Sequence, residues 1–436
     1  MKLPQSVNHC LQMLEQAGFS TYAVGGCVRD WLLGLQPHDY DLCTAATPEQ
    51  MRHLFREYPL VLAGQKHGTV GVVTEDGVVE ITTFRTEGEY RDNRHPDQVS
   101  FVTDIREDLA RRDFTVNAMA YSPSCGLQDP FGGAEDLKNH ILRAVGVPEK
   151  RFREDSLRIL RGVRFSVRFH LTPTEETLGA MTELAPLMDN LARERVFEEL
   201  CKMLPLLTAE EMIRYAPVLT RAIPPLREAV GFCQHSRHHA YDVYTHTAHV
   251  VENTPAELEL RWAALLHDVG KPATFSLDQQ GNGHFYNHAK VGAEMAEVIL
   301  RQLKAPNALR QRVVFLVEQH MTPLPPEPKL LRRRLSRYGQ EAIYQLLALQ
   351  KADFSAKGVK GTLPEFALVE KYLGEILAQN GCLTIQSLAV DGHDLMALGF
   401  QGKAIGAMLQ ELLEQVLEER LPNEGETLLE YAKNRR

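Results

Sequence analysis

The stretch GGCVRDWLLGLQPHDYDL, residues 25–42, sets two glycines and an arginine ahead of two aspartates one residue apart. Gly25 and Gly26 carry no side chain, so backbone N–H groups there can come close to a run of phosphates. Arg29 adds a positive charge, and Asp30 follows it. HDYDLC reads as a strand. Residues two apart in a strand face one side, so Asp39 and Asp41 are expected to point together. Two carboxylates held close repel each other unless a cation sits between them. Mg²⁺ takes hard oxygen ligands, often one or two carboxylates completed by phosphates. Glu80, in VVEITTF, is a candidate third oxygen ligand. The plain alternative is a surface turn and an edge strand of solvated acids. The order GG, RD, DxD within one strand–helix–strand unit argues against it.

Around this unit the pattern is regular. Val7, Leu11, Leu14 and Ala17 recur at helical spacing, and Gly18 stops the run. STYAV is a short strand, and residues 27–33 look helical. TPEQMRHLF has Thr47 as N-cap and Pro48 at the first helical position. TVGVVT, the turn EDG and VVEITTF make a β-hairpin. Strands and helices alternate to about residue 145, and beyond it the chain reads as helical nearly to the end. TPT (172–174), IPP (223–225) and PLPPEP (323–328) are breaks.

The chain has 436 residues, 44% of them hydrophobic and 24% charged, which suits ordinary cores and not a disordered polymer. No apolar run reaches 18 residues, and no basic-then-apolar segment opens the chain, so neither a membrane span nor a secretory signal is expected. The 7 cysteines include no CxxC and read as thiols of a reducing compartment, hence a cytoplasmic protein. The net charge of −9 disfavours nucleic acid only if charge is evenly spread. It is not. Between Arg143 and Arg168 eight basic residues face only Glu149, Glu154 and Asp155.

RRDFTVNAMAY, residues 111–121, places Arg111, Arg112 and Asp113 before a buried-looking run that includes Asn117. Asp113 as a helix cap and Asn117 as a satisfied core amide are the alternatives to a binding role. EDSLRILRGVRFSVR reads as one helix. Arg158, Arg161, Arg164 and Arg168 fall in a stripe about 120° wide beside an apolar face. Asp155 lies one turn before Arg158, so the two can sit side by side.

Taken in order, GGCVRDWLLG with DYD, VEITTFR, RRDFTVNAM and EDSLRILRGVRF resemble the class II tRNA nucleotidyltransferases. These are the CCA-adding enzymes and bacterial poly(A) polymerases of the polymerase β superfamily. The motifs run from about residue 22 to 169, and GHDLMALGFQGKAIGAMLQELLEQV resembles the family's C-terminal region. The resemblance implies Mg²⁺-dependent two-metal nucleotidyl transfer, with Asp39 and Asp41 as metal ligands and Glu80 as the third carboxylate. It implies nucleotide contacts from Gly25, Gly26, Arg29, Asp30, Arg111, Arg112, Asp113 and Asn117. The partners it implies are tRNA, CTP and ATP.

Within that resemblance Asp155 and Arg158 can serve as a protein template. Cytosine and adenine both offer an amino donor beside a ring-nitrogen acceptor. A carboxylate suits the first and a guanidinium the second. Guanine and uracil present the opposite order and would leave buried groups unpaired, at roughly 1–3 kcal/mol each. Arg161 and Arg164 would bind phosphates or brace the pair.

About half of the 17 histidines lie between residues 235 and 320. His246, His267, Asp268, His288, His320 and Asp353 are widely spaced, as in a site gathered from several helices. Imidazoles with carboxylates suit a transition metal such as Ni²⁺ or Mn²⁺, and such a site can hydrolyse a phosphate ester. Individually satisfied histidines are the alternative. The series resembles the HD-domain metal-dependent phosphohydrolases, with His284 a competitor for the place of His288. Two further stretches are open: RTEGEYRDNRHPDQVSFV (85–102) as a loop beside the first site or an inert connector, and LLRRRLSRYG (330–339) as an RNA contact or a solvated helix face.

The expected fold is an α+β, polymerase β-like nucleotidyltransferase head over 1–142, followed by all-α segments. These are a neck over 143–222, an HD domain over 223–365 and an RNA-binding tail over 366–436. The leading functional expectation is 3′-CCA addition to tRNA from CTP and ATP. Relatives adding only A, only CC or poly(A) share the motifs. Alternatives of other kinds are an HD phosphohydrolase with a nucleotide-binding head and a non-catalytic RNA-binding protein.

Overall fold

Helix α1 (Gln5–Gln16) buries Val7, Cys10, Leu11 and Leu14, one face at a spacing of three to four. It leads into β1 (Thr21–Val24), which is buried throughout. A computed structural model describes residues 1–87, 99–235, 240–358, 365–378 and 382–435. By density of contact it divides into two units. One is Met1–Arg227 with Gln302–Ala305, and the other is Glu228–Arg301 with Pro306–Arg436.

In the first unit β1 turns at Gly25, whose φ of 70° is the left-handed conformation glycine tolerates, into the short helix α2 (Gly26–Leu32). Strand β2 (Asp41–Thr44) then pairs antiparallel with β1. Helix α3 (Pro48–Leu54) starts as its sequence demands. Thr47 accepts from the Gln50 N–H, Gln50 reaches back to Thr47, and Pro48 fills the first helical position. Strands β3 (Leu60–Val61), β4 (Thr69–Thr74) and β5 (Gly77–Thr83) follow, β4 and β5 as a hairpin closing on Thr74 and Gly77. Strands β6 (Arg85–Glu87) and β7 (Val99–Phe101) form a separate pair. Most of the loop expected between them, 88–98, lies outside the described residues.

Helix α4 (Ile105–Ala110) is capped by Asp104, and β8 (Ala120–Ser122) and β9 (Gly126–Gln128) complete the sheet. Its order is β3-β4-β5-β2-β1-β8-β9, with β2 and β5 parallel and the other pairs antiparallel. Tyr22, Val24, Cys43, Phe84, Leu109, Ala118 and Ala120 pack as a core on this sheet. Helix α5 (Gly133–Lys138), strand β10 (Ile141–Leu142), helix α6 (Pro148–Glu154) and helix α7 (Leu157–Phe169) come next. The remainder of the unit is strand β11 (Thr172–Pro173) with helices α8 (Glu175–Glu183), α9 (Arg193–Met203), α10 (Ala209–Arg214) and α11 (Ala216–Ala222). The expected break at TPT is therefore a strand, paired parallel with β10.

The second unit is helical: α12 (Val243–Asn253), α13 (Leu258–Leu266), α14 (Lys271–Thr274), α15 (His288–Gln302), α16 (Asn307–Gln319), α17 (Pro328–Tyr338) and α18 (Gln340–Ser355). A hairpin of β12 (Phe275–Leu277) and β13 (Gly283–Phe285) interrupts what reads in sequence as all helix. Helices α19 (Phe366–Ala378), α20 (Gly392–Ala397), α21 (Lys403–Leu417) and α22 (Gly425–Lys433) end it, the last three around Leu395, Leu412, Leu428 and Ala432. Among the described residues no helix is long and apolar enough to cross a membrane.

Candidate functional site

Asp39, Asp41 and Glu80 line one cleft of about 670 Å³. The register explains the meeting of the last two. Leu42 on β2 pairs with Ile81 on β5, so the preceding residues, Asp41 and Glu80, are also neighbours across the parallel pair. Asp39 differs from expectation. The strand begins only at Asp41, so Asp39 reaches the cleft from the preceding loop and not by strand alternation. Burial, then the charge of Glu80 and of Asp39, raises the Asp41 carboxyl above its ordinary value, although Arg112 pulls the other way. The cleft thus holds negative charge that the protein leaves uncompensated, the condition a bound cation relieves. The oxygen-only donor set fits Mg²⁺. The three carboxylates are not drawn as tightly as the donors of the second site described below, where triads lie within 4.8 Å.

Beside the cleft, a Cβ built on Gly25 would stand 2.7 Å from Arg112 Nη1 at a φ of 70°, so any other residue is strained there and must displace the guanidinium. Arg29 is not an open phosphate ligand. It is buried, donates to Asp30 Oδ1 through Nε (2.9 Å) and Nη2 (2.6 Å), and donates to Asn117 Oδ1 at 2.6 Å. Its guanidinium lies 4.1 Å from the ring centroid of Phe169 on α7. Asn117 donates to Asp113 Oδ1 (3.1 Å), and Arg161 donates to Asp113 Oδ2 through Nε (2.8 Å) and Nη2 (2.6 Å). Burial alone would raise the Asp113 carboxyl, but Arg161 and Asn117 hold it down at about 2. Arg29, Asp30, Asn117, Asp113 and Arg161 form one connected network that ties the glycine turn to α7.

The arginine helix departs from expectation in two ways. It is not continuous: α6 ends at Glu154, Asp155 is extended (φ −139°, ψ 104°), and α7 starts at Leu157. Asp155 Oδ1 accepts from the Leu157 N–H at 3.0 Å, a local bond that competes with helix continuation. Nor do Asp155 and Arg158 pair. Asp155 takes Arg195 (3.1 Å), whereas Arg158 donates to Glu154 (2.8 Å) and to the Arg111 carbonyl (3.0 Å). Half of the stripe is also not open: Arg158 and Arg164 are buried, and Arg164 donates to buried Glu199 at 2.6 Å. Arg111 binds Asp108, a fully buried carboxylate that sequence reasoning passed over. The clue was spacing, one helical turn ahead of a double arginine.

In the second unit His246, His267, Asp268, His288, His320 and Asp353 converge. Each of the four histidines donates Nδ1–H to a backbone carbonyl: Ala356 (3.3 Å), Ala264 (2.7 Å), Phe285 (2.8 Å) and Val317 (2.6 Å) respectively. That orients each ring with Nε2 inward, where the His246 Nε2 meets Asp353 and those of His267, His288 and His320 turn toward Asp268. His288 and His320 therefore face each other Nε2 to Nε2 at 3.2 Å, two acceptors with nothing to share. Burial, then the charge of His267, lowers the His320 imidazole to about 4, so a proton does not settle there readily. His267 Nε2 and Asp268 Oδ2 are buried 3.1 Å apart, and the same Asp268 oxygen pairs with Lys271 Nζ at 2.7 Å. Burial would raise Asp268, yet His267 and Lys271 keep it well below the carboxylate range. His246, His267 and Asp268, and again Asp268, His288 and His320, bring donors within 4.8 Å of one another. Asp353 Oδ1 meets His246 Nε2 at 2.9 Å. The donors fit a transition metal, and Asp268 belongs to both triads. His284 stands apart, on β13 with Asp278 at 3.1 Å, so the inward place is His288's. The basic helix α17 is partly committed: Arg332 pairs with Glu419 and Arg333 with Glu418.

Family models match three segments: "Poly A polymerase head domain" over residues 21–143, "Probable RNA and SrmB- binding site of polymerase A" over 170–217, and "tRNA nucleotidyltransferase domain 2 putative" over 281–432. The CCA-adding enzyme of Levilactobacillus brevis is 34% identical over 423 residues, 96% of this chain and 95% of that one. The CCA-adding enzyme of Streptococcus suis is 34% identical over 441 residues, covering 99% and 97%. The crystal structure of the Bacillus stearothermophilus CCA-adding enzyme in complex with CTP aligns over 100% of this chain and 98% of that one, with TM-score 0.71 and 28% identity. A Thermotoga maritima CCA-adding enzyme complexed with tRNA shares the fold, with TM-score 0.59 and 21% identity over 99% and 94% of the chains. Sheet, cleft and helical extension are those of a nucleotidyltransferase. The chain belongs to the tRNA nucleotidyltransferase family of CCA-adding enzymes and bacterial poly(A) polymerases.

Proposed function

We propose that this chain rebuilds the 3′-CCA end of tRNA from CTP and ATP in the cytoplasm, with Mg²⁺ held by Asp39 and Asp41 and supported by Glu80. The observation that carries the reading is the cleft where these carboxylates meet, in a chain alike over its whole length to CCA-adding enzymes. When bound, Mg²⁺ supplies neutralisation of phosphate charge and activation of the attacking hydroxyl. The chain's part is positional. The Gly25–Gly26 turn admits the triphosphate, Arg112 supplies charge beside it, and the Asp113–Arg161 pair holds α7 against the turn. Asp155 and Arg158 read the base in turn, each exchanging its resting partner for the nucleotide. We assign the head to 1–142, the neck to 143–222, the HD domain to 223–365 and the tail to 366–436.

The test uses the full chain, Mg²⁺, labelled CTP or ATP, and tRNAs lacking CCA, CA or A. Extension of all three to a full CCA end is expected. Extension of the last alone would mark an A-adding enzyme, stalling after two cytidines a CC-adding one, and runs of adenosine a poly(A) polymerase.

A second reading rests on the inward Nε2 atoms and on the buried carboxylate of Asp268 shared by two triads. We propose that the histidine centre takes Ni²⁺, Mn²⁺ or a similar ion and hydrolyses a phosphate ester, as HD phosphohydrolases do. Phosphatase activity that follows added Ni²⁺ or Mn²⁺ and vanishes in His267→Ala would support it. Activity unchanged in that variant would end it.

A further inference from the structure

Asp108 is the one fully buried carboxylate of α4, and its two oxygens serve two arginines. Oδ1 accepts from Arg111 through Nε (3.1 Å) and Nη2 (2.8 Å), and from the Arg85 backbone N–H (3.3 Å). Oδ2 accepts from Arg112 Nη2 at 3.4 Å. The same Nη2 lies 3.7 Å from Cys43 Sγ on β2, two residues past Asp41. The other terminal nitrogen, Nη1, lies 3.5 Å from the Asn117 carbonyl and against the bare Cα of Gly25. The Arg112 guanidinium is thus fixed at one end by Asp108. Its other side looks on the glycine turn and on β2, where Cys43 lies two residues past Asp41. A guanidinium on a flexible side chain gains no such place by charge alone, since it loses rotamer entropy when held.

We propose that Asp108 is a positioning residue for nucleotide transfer: it holds Arg112 between the Gly25 turn and strand β2, beside the cleft where the triphosphate must lie. The inference rests on the nucleotidyltransferase reading above. It also gives Arg111 a part, because the Asp108–Arg111 bonds steady the carbonyl that receives Arg158.

The test is a double-mutant cycle on the full chain, with CTP as probe, using Asp108→Asn, Arg112→Gln and the pair together. Each single change is expected to raise KM for CTP about tenfold while kcat moves less than about threefold. The double variant should be no worse than Arg112→Gln alone. Effects that multiply in the double variant, or an Asp108→Asn protein whose melting temperature falls while its KM stays put, would overturn the proposal. If Asp108→Asn fails to fold because two guanidinium groups lose their counter-charge, Asp108→Asn with Arg111→Gln keeps the net charge of the trio. Compared with Arg111→Gln, it should show the same rise in KM, and no rise would likewise refute the role. Wild-type incorporation of CTP in the same assay separates failure of this inference from failure of the functional reading, as does Mg²⁺-dependent equilibrium binding of CTP.

Discussion

At the scale of single residues, Asp41 carries a carboxylate whose ionisation its surroundings disfavour. Its carboxyl is raised by burial and by Glu80, so the ionised form is disfavoured in the folded protein. Asp41→Asn removes that conflict. We expect its melting temperature to equal or exceed the wild type's without Mg²⁺, its response to Mg²⁺ to shrink, and nucleotide addition to fall by roughly 10³-fold. Thermal scans with and without the ion, beside single-turnover rates, check all three; a clear loss of stability without Mg²⁺ would contradict the electrostatic account. Gly25 is a second such position. Alanine there meets an unfavourable φ of 70° and drives Cβ into Arg112 Nη1. Gly25→Ala should cost about 1–2 kcal/mol in urea unfolding and raise KM for both nucleotides.

At the scale of elements, α7 is held by ion pairs at buried positions more than by its surface stripe. Glu199 on α9 answers Arg164 at 2.6 Å, and both side chains are nearly inaccessible. Glu199→Ala leaves a buried guanidinium uncompensated and is expected to cost about 3–5 kcal/mol of stability, read by urea denaturation. Asp113 gives a pH signature. Its folded carboxyl sits at about 2, below the ordinary 3.8, so the stabilisation is present above that ordinary value and is lost as pH falls toward 2. The stability gap between wild type and Asp113→Asn, roughly 2 kcal/mol at neutral pH, should close between pH 4 and 2. These elements also mark where sequence reading succeeds. The β1–α2–β2 unit, the Thr47 cap and the β4–β5 hairpin follow from local signals: a period, a capping residue, a two-residue turn. The convergence of the histidines with Asp268 and Asp353 was legible through the resemblance to the HD series and not through any local spacing rule. The Asp155 break was not, since no Pro or Gly announces it and a side-chain bond to Leu157 decides it. Glu199 was illegible for another reason. It meets Arg164 across 35 residues of chain, a pairing that tertiary packing makes and no spacing rule encodes.

At the scale of the molecule, two candidate cation sites with different donor atoms lie in separate units. The first offers carboxylate oxygens beside a glycine turn, the second four imidazoles around Asp268. Hard oxygen donors favour Mg²⁺, and imidazoles favour later divalent metals, so the two sites should load independently. Adding Ni²⁺ or Mn²⁺ should stabilise the wild type, as any ligand of the folded state does, by about 2.7 kcal/mol at a hundredfold excess over its dissociation constant, read as a rise in melting temperature. Asp268→Asn should abolish that gain, because Asp268 serves both triads. His246→Ala and His320→Ala should each remove only part of the bound metal, measured by elemental analysis of the loaded protein. In all three variants CCA addition with Mg²⁺ should stay within about twofold of wild type, since none of these residues lies in the first unit. If Asp268→Asn kept its full Ni²⁺ response, the buried histidines would be structural after all. If it lost nucleotide addition as well, the two proposed sites would be coupled, against the independence expected from their donor atoms and their places in the chain.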